Sequence, residues 1–116
     1  MENETHNTVV SLEDFKKIKI RIGTIVSAER IPDTDKLLKL SVDLGEGKPR
    51  QVVSGIAAYF PEPSELVGVQ CAFAANLAPR IIRGEESNGM ILAASGDDAF
   101  SLLSPRKPVP AGSSVL

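Results

Sequence analysis

The sequence is poor in aromatic residues: no tryptophan, one tyrosine and four phenylalanines in 116 residues. A surface that holds unstructured nucleic acid by base stacking needs several exposed rings. Beyond Tyr59 and Phe60 few are on offer. There is one cysteine, Cys71, so no internal disulfide can form, and a reducing compartment fits. Flanked by Val69, Ala72 and Phe73, Cys71 reads as a small buried hydrophobe. The one histidine, His6, lies in a polar leader and is not expected to bind metal or catalyse. A zinc site or a nucleophilic triad therefore lacks its parts. No apolar run approaches the ~18 residues of a membrane span. The leader MENETHNTVV is acidic and unlike a signal peptide, so a cytoplasmic location is expected. No Gly-rich phosphate loop is present, and no cofactor is expected.

Positive charge is not abundant either. Thirteen bases face fifteen acids, a net charge of −2, which argues against a simple polycationic surface. The balance is uneven. Glu2, Glu4, Glu13 and Asp14 occupy the first fourteen residues without a Lys or Arg, so residues 15–116 hold eleven acids and thirteen bases, near +2. A mildly basic body can still concentrate its charge on one face.

What is present is a chain of short strand signals. Residues 1–10 form an expected flexible tail, and residues 11–116 one domain with a single core. Ser11 to Asp14 resembles a capping box ahead of a short helix through Phe15 and Lys16. Lys17 to Ile22 alternates strictly, and Gly23 inside the longer strand to Glu29 suggests a bulge or a barrel corner. The Pro32-Asp33-Thr34-Asp35 turn follows, its acids suited to capping backbone amides rather than acid–base work. Leu38 to Leu44 alternates as a second strand. Arg50 to Ser54 is a third, Val69 to Ala75 a fourth, Gly89 to Ala94 a fifth and Ala99 to Leu103 a short sixth. Pro61 to Leu66 suits a helical turn. Ser104 to Leu116, with three prolines, reads as an extended, loop-like C-terminal extension. Short strands at this spacing predict a small all-β barrel.

The stretch from Asn76 to Asn88, NLAPRIIRGEESN, carries more polar hardware than a connecting loop needs. Arg80 and Arg83, set between Pro79 and Gly84, cannot both enter a core. One reading is a solvated turn in which they pair with Glu85 and Glu86. The other is a phosphate-binding loop, since the planar guanidinium fork suits phosphate best.

Five segments together resemble a known family, the tRNA-binding domain found at the C-terminus of many methionyl-tRNA synthetases and as free-standing dimeric tRNA-binding proteins. They are Ile20 to Val26, Pro32 to Leu37, Val52 to Ile56, Asn76 to Arg80, and Arg83 to Ala94, in family order and spacing. The resemblance implies an OB-fold, a five-stranded Greek-key barrel with a C-terminal extension over 104–116. It also implies a homodimer that grips tRNA by shape, and association with a methionyl-tRNA synthetase. On that resemblance Lys36, Arg80 and Arg83 contact phosphates. Asn76 and Ser87 bond sugar or base edges, or brace the loop. Gly84 and Gly89 let the backbone approach ligand or a partner strand, and Met90 sits at the groove edge or in the core. Arg21 is a lesser candidate. Ile31 stands where many members have His, and Ala78 where many have Lys, which puts one phosphate contact in doubt. The synthetase signatures HIGH and KMSKS are missing, so the expected module is non-catalytic. CsaA-type chaperones share the fold and dimeric form and would hold unfolded chains in an apolar groove. A protein-interaction scaffold is the remaining alternative. Few aromatics favour a folded RNA read through backbone and 2′-hydroxyl contacts, and few charges imply modest affinity and a modest salt slope.

Overall fold

The computed structural model describes residues 8–116. His6 and most of the expected tail lie outside the described residues. Ser11 caps the short helix α1 (Leu12–Phe15), its Oγ accepting the Asp14 N–H at 3.1 Å and so satisfying one of the amides that a helix start leaves unpaired. The strands follow as β1 (Ile20–Arg30), β2 (Leu38–Asp43), β3 (Arg50–Ser54), β4 (Gln70–Ala74), β5 (Arg80–Ile82), β6 (Glu85–Ser87), β7 (Met90–Ile91), β8 (Ala93–Ser95) and β9 (Phe100–Leu102). Two 3-10 turns, Ala57–Tyr59 and Pro63–Leu66, separate β3 from β4.

Five strands form one antiparallel sheet in the order β3–β2–β1–β4–β7. Alternation works as the sequence implies: Leu38, Leu40 and Val42 are fully buried, while Lys39 and Ser41 are half-buried and Asp43 is exposed. The sheet curls until its edges meet. The Asn88 N–H donates to the Gln51 carbonyl at 2.8 Å, and the Val53 N–H to Ser87 Oγ at 2.9 Å. The result is a nearly closed, OB-like barrel around Ile25, Leu40, Val52, Phe73 and their neighbours. Cys71 is fully buried in that core, and burial pushes its thiol up to about 12. It therefore supplies no thiolate near neutral pH.

Three expectations need correction. The first strand begins at Ile20, because Lys17 and Ile18 still donate to the Asp14 and Phe15 carbonyls of the α1 exit. The irregularity expected at Gly23 lies further on: the β1–β2 register slips between Ile25 and Ser27, so the bulge is at Val26. Gly23 is there for space, since a Cβ would sit 2.6 Å from Val42 Cγ1 and 2.9 Å from Leu44 Cδ2. The expected fifth strand is interrupted, with β7 pairing to β4 and β8 turning away to pair with β9.

The C-terminal extension is a strap. β4 flanks β1 over Ile20 to Thr24, whereas β2 flanks it only from Thr24 onward. Residues 112–115 occupy the edge of β1 that β2 leaves free. Gly112 N–H donates to the Ile22 carbonyl at 2.7 Å, Ile22 N–H to the Ser113 carbonyl at 2.8 Å, and Val115 N–H to the Ile20 carbonyl at 2.9 Å. Gln70 pins the strap with both ends of its amide, donating to the Val109 carbonyl at 2.7 Å and accepting the Val109 N–H at 3.0 Å. Gly112, at φ 92°, crosses the β2–β3 loop so closely that a Cβ would lie 2.4 Å from the Leu44 carbonyl oxygen.

Candidate functional site

The stretch that resisted a purely structural reading is a hairpin arm. β5 and β6 pair Arg80 with Ser87, Ile81 with Glu86 and Ile82 with Glu85. Arg83 and Gly84 are the two turn residues, at φ 53° and 81°. A two-residue loop with positive φ at both positions has the twist of the tight hairpin turn that Asn-Gly usually fills. Arginine at the first position is uncommon, because its Cβ crowds the backbone there. The arm's strand β5 pairs with β6 alone, and Ile81 at 70% exposure stands in solvent with Arg80 and Arg83. A Cβ at Gly84 would meet nothing within 4 Å.

The arm leaves the barrel through three anchors. Asn76 holds its first end, Oδ1 accepting the Lys19 N–H at 2.7 Å and Nδ2 donating to the Lys17 carbonyl at 2.6 Å. Arg50 joins both ends. Its Nη1 donates to the carbonyls of Ala75 and, at 3.4 Å, Asn88. Its Nε and Nη2 grip Glu46 at 2.9 and 2.7 Å. Ser87 holds the far end from inside the barrel at 2% exposure, also donating to the Gly89 carbonyl at 3.3 Å. Of the two roles expected of Asn76 and Ser87, contact or bracing, the geometry supplies bracing for both.

The ion pairs that the solvated-turn reading requires do not form among the described residues. Glu85 turns back to the sheet, accepting from Gln51 Nε2 at 3.2 Å and lying 3.6 Å from Lys39 Nζ. Lys39 also meets Glu29 at 3.3 Å. The hydrogen bond to Glu29 and the charge of Glu85 raise its ammonium above the ordinary lysine value. Among the described residues, neither Arg80 nor Arg83 has a carboxylate within ion-pair distance. Arg83 at the turn and Arg80 at the barrel end of the arm thus have no ion-pair partner, Glu85 is committed to the sheet, and the exposed Glu86 is the acid left beside them.

The remaining candidates fall around the arm. Met90 is exposed at 44% and pairs with Ala74 across β4 and β7. Gly89, whose Cβ would lie 3.2 Å from the Ala74 carbonyl, gives close approach to that partner strand. Lys36 is exposed on a separate loop, the turn before β2, where its carbonyl accepts the Ala57 N–H at 3.0 Å. Arg21 faces the strap and donates to the Gly112 carbonyl at 3.3 Å. Sequence reading missed Arg50, Gln51 and Lys39 as supports and Ile81 as the apolar tip. The one local hint was Glu46 four residues before Arg50, across a Gly- and Pro-containing turn.

This geometry has relatives. Residues 20–114 match the family model described as "Putative tRNA binding domain". The chain is 52% identical over 115 residues to a methionine–tRNA ligase of Methanoregula boonei, covering 98% of this chain and 17% of that one. It is 47% identical over 111 residues to the methionine–tRNA ligase of Helicobacter pylori, covering 96% of this chain and 17% of that one. The chain therefore spans about a sixth of the length of these curated relatives. Among solved structures it is similar to a MetRS-related protein from Pyrococcus horikoshii, with 37% identity, TM-score 0.84, and 93% and 98% of the two chains covered. It is also similar to the chaperone CsaA from Bacillus anthracis, with 27% identity, TM-score 0.83, and 94% and 100% covered. With the matched segment running through all nine strands and the strap, the chain belongs to the tRNA-binding domain family.

Proposed function

We propose that this domain binds folded tRNA through the β5–β6 arm, as a homodimer, either free-standing or appended to a methionine–tRNA ligase. The observation that carries this reading is the pair of arginines, without ion-pair partners among the described residues, on a braced arm. Arg83 keeps a backbone conformation that Asn or Gly would adopt more readily, and such local strain concentrates at functional positions. In this reading Arg80, Arg83 and Lys36 meet phosphates, and Met90 and Ile81 lie against sugar or base. Gly84 gives the RNA backbone room, and Asn76 and Ser87 hold the arm in place. Aminoacylation belongs to a catalytic region of a longer protein, since the chain carries neither synthetase signature. Cytoplasmic location goes with this reading.

Three phosphates per protomer give a slope of log K against log salt of roughly −2 to −3. Arg80→Ala/Arg83→Ala is expected to lower tRNA affinity and flatten that slope by about 2 units. Filter binding of bulk tRNA at several salt concentrations checks this. Unchanged affinity and slope in the double variant would sink the arginine assignment. Arg83→Asn refines it, because Asn keeps the turn and removes only the charge.

The dimer reading rests on an apolar surface. Leu12, Phe15 and Ile18 at the α1 end and Val115 and Leu116 at the strap's end are exposed and line one cavity of about 370 Å³. A second copy is the occupant proposed, in keeping with the homodimer that the family resemblance implies. Sedimentation should give a dimer for the wild type and a monomer for Phe15→Glu. Likeness to CsaA at 27% identity favours one second reading, in which the same apolar surface holds unfolded polypeptide. Competition between tRNA and an unfolded chain separates the two.

A further inference from the structure

A cavity of about 690 Å³ opens between the 57–66 segment and the β8–β9 hairpin. None of its lining residues belongs to the arm or its anchors. One wall is aromatic. The rings of Tyr59 and Phe100 stack with centroids 3.8 Å apart and planes 5° apart. Phe60 meets Phe100 edge-on at 6.0 Å and 75°. Leu66 is part of the buried core, and Phe60, Val69, Phe100 and Leu102 pack against it. The wall is therefore fixed to the barrel although Tyr59 is 51% exposed.

The polar side of the cavity carries one sign of charge. Glu65, Asp97 and Asp98 line it, and no Lys, Arg or His does. Among the described residues, none of the three carboxylates has an ion-pair partner. A phosphate backbone is repelled by such a set, so the cavity is unsuited to the ligand proposed for the arm. A cation gains twice, from the carboxylates and from the negative faces of the rings. Guanidinium suits both surfaces, since it is planar, stacks on aromatic faces and takes a carboxylate bidentately. The volume lies within the ~300–1,000 Å³ of ordinary ligand pockets and exceeds what one side chain fills.

We propose that this cavity receives an arginine-bearing peptide segment of a protein partner, with a guanidinium between the Tyr59–Phe100 wall and the carboxylates of Asp97 and Asp98. The domain then has two faces of opposite preference, an arm for an anion and a cavity for a cationic chain. This inference stands apart from the RNA reading.

The chain contains a single tyrosine and no tryptophan, so its emission near 305 nm comes from Tyr59. The probe is acetyl-tetraarginine amide at low salt, with tetraglutamate and oligouridylate as comparison ligands. Tetraarginine is expected to change Tyr59 emission saturably and to move amide resonances within 57–66 and 96–104. Asp97→Asn/Asp98→Asn should weaken it roughly five-fold, as expected for two exposed ion pairs. Arg80→Ala/Arg83→Ala should leave it unchanged. The proposal is overturned by no saturable response up to millimolar peptide, or by equal affinity in the Asp97/Asp98 variant. It is equally overturned if oligouridylate moves these resonances and tetraarginine does not, which would make the ring pair a base-stacking platform. Loss of tRNA binding in the arm variant with peptide binding intact is the result that supports both readings.

Discussion

Gly23→Ala is expected to lower the melting temperature by about 5–15 °C, the equivalent of ~1–3 kcal/mol of overpacking in a domain of this size. The added methyl would lie 2.6 Å from Val42 Cγ1, 2.9 Å from Leu44 Cδ2 and 3.0 Å from Phe73 Cδ1. Val42 and Phe73 are fully buried, and Leu44 is 3% exposed. Val42 is the decisive neighbour, because its branched side chain is stiff at χ1 and has no open space to rotate into. The backbone at Gly23 is not in the left-handed region, so the penalty is steric and not conformational. Two controls isolate it. Gly96→Ala, with nothing within 4 Å of the new methyl, should leave stability nearly unchanged. Val42→Ala in the Gly23→Ala background should cost less than the two single changes summed, because the first makes room for the second. Additive losses would mean that the strain lies elsewhere in β1.

The barrel's framework could be read in the sequence wherever burial imposes a period. Leu38, Leu40 and Val42 reveal β2 because one face of that strand meets the core and the other meets solvent. Ser11 reveals the helix start because the capping bond is local. The arm was hidden for the opposite reason. Its strands are three residues long, β5 is exposed or half-buried throughout, and Arg83 stands where a hairpin turn usually announces itself with Asn. The strap was hidden because its pairing is distant: Arg21 bonds to Gly112, 91 positions away. No local pattern in a Pro-rich tail says that β2 leaves an edge for it to fill.

The candidate site divides the same way. Arg80 and Arg83 could be picked out as polar residues unfit for a core. Whether they were free or paired could not be settled, because that depends on where Glu85 points. Its carboxylate is drawn to Lys39 and Gln51 only once β2, β3 and β6 are side by side. Ser87 sits in the motif that carries the resemblance, yet its hydroxyl bridges β3 and the β6–β7 connection from within the wall of the barrel. Such a residue supports the arm by closing the barrel beneath it.

Arg50→Met should separate support from contact. Among the described residues, the guanidinium is the one side chain seen to reach both the Ala75 carbonyl before the arm and the Asn88 carbonyl after it. Methionine has similar length and no donor. Two partly buried carbonyls lose their partner, and Glu46 loses its bidentate grip, for an expected loss of ~1–3 kcal/mol. The Glu46 side of the pair carries a pH signature. Its hydrogen bonds to Arg50 hold the carboxyl below the ordinary value of 4.5. A depressed folded-state value means stabilisation that is complete above the unfolded-state value and lost as pH falls through the folded one. Glu46→Gln should therefore lower the melting temperature at pH 7, and the gap should narrow as the pH falls below 4.5. A gap that does not change with pH would show that the ion pair is not its source. Under the proposed function, Arg50→Met should also weaken tRNA binding while leaving the salt slope near the wild-type value. Arg50 spends its charge on Glu46 and has none free for phosphate, so its loss loosens the arm without removing a counterion-releasing contact. Arg80→Ala/Arg83→Ala should do the reverse, flattening the slope with the melting temperature almost unmoved. If Arg50→Met flattens the slope as much as Arg80→Ala/Arg83→Ala does, Arg50 is itself a phosphate ligand and the arm is not held in the way its hydrogen bonds imply.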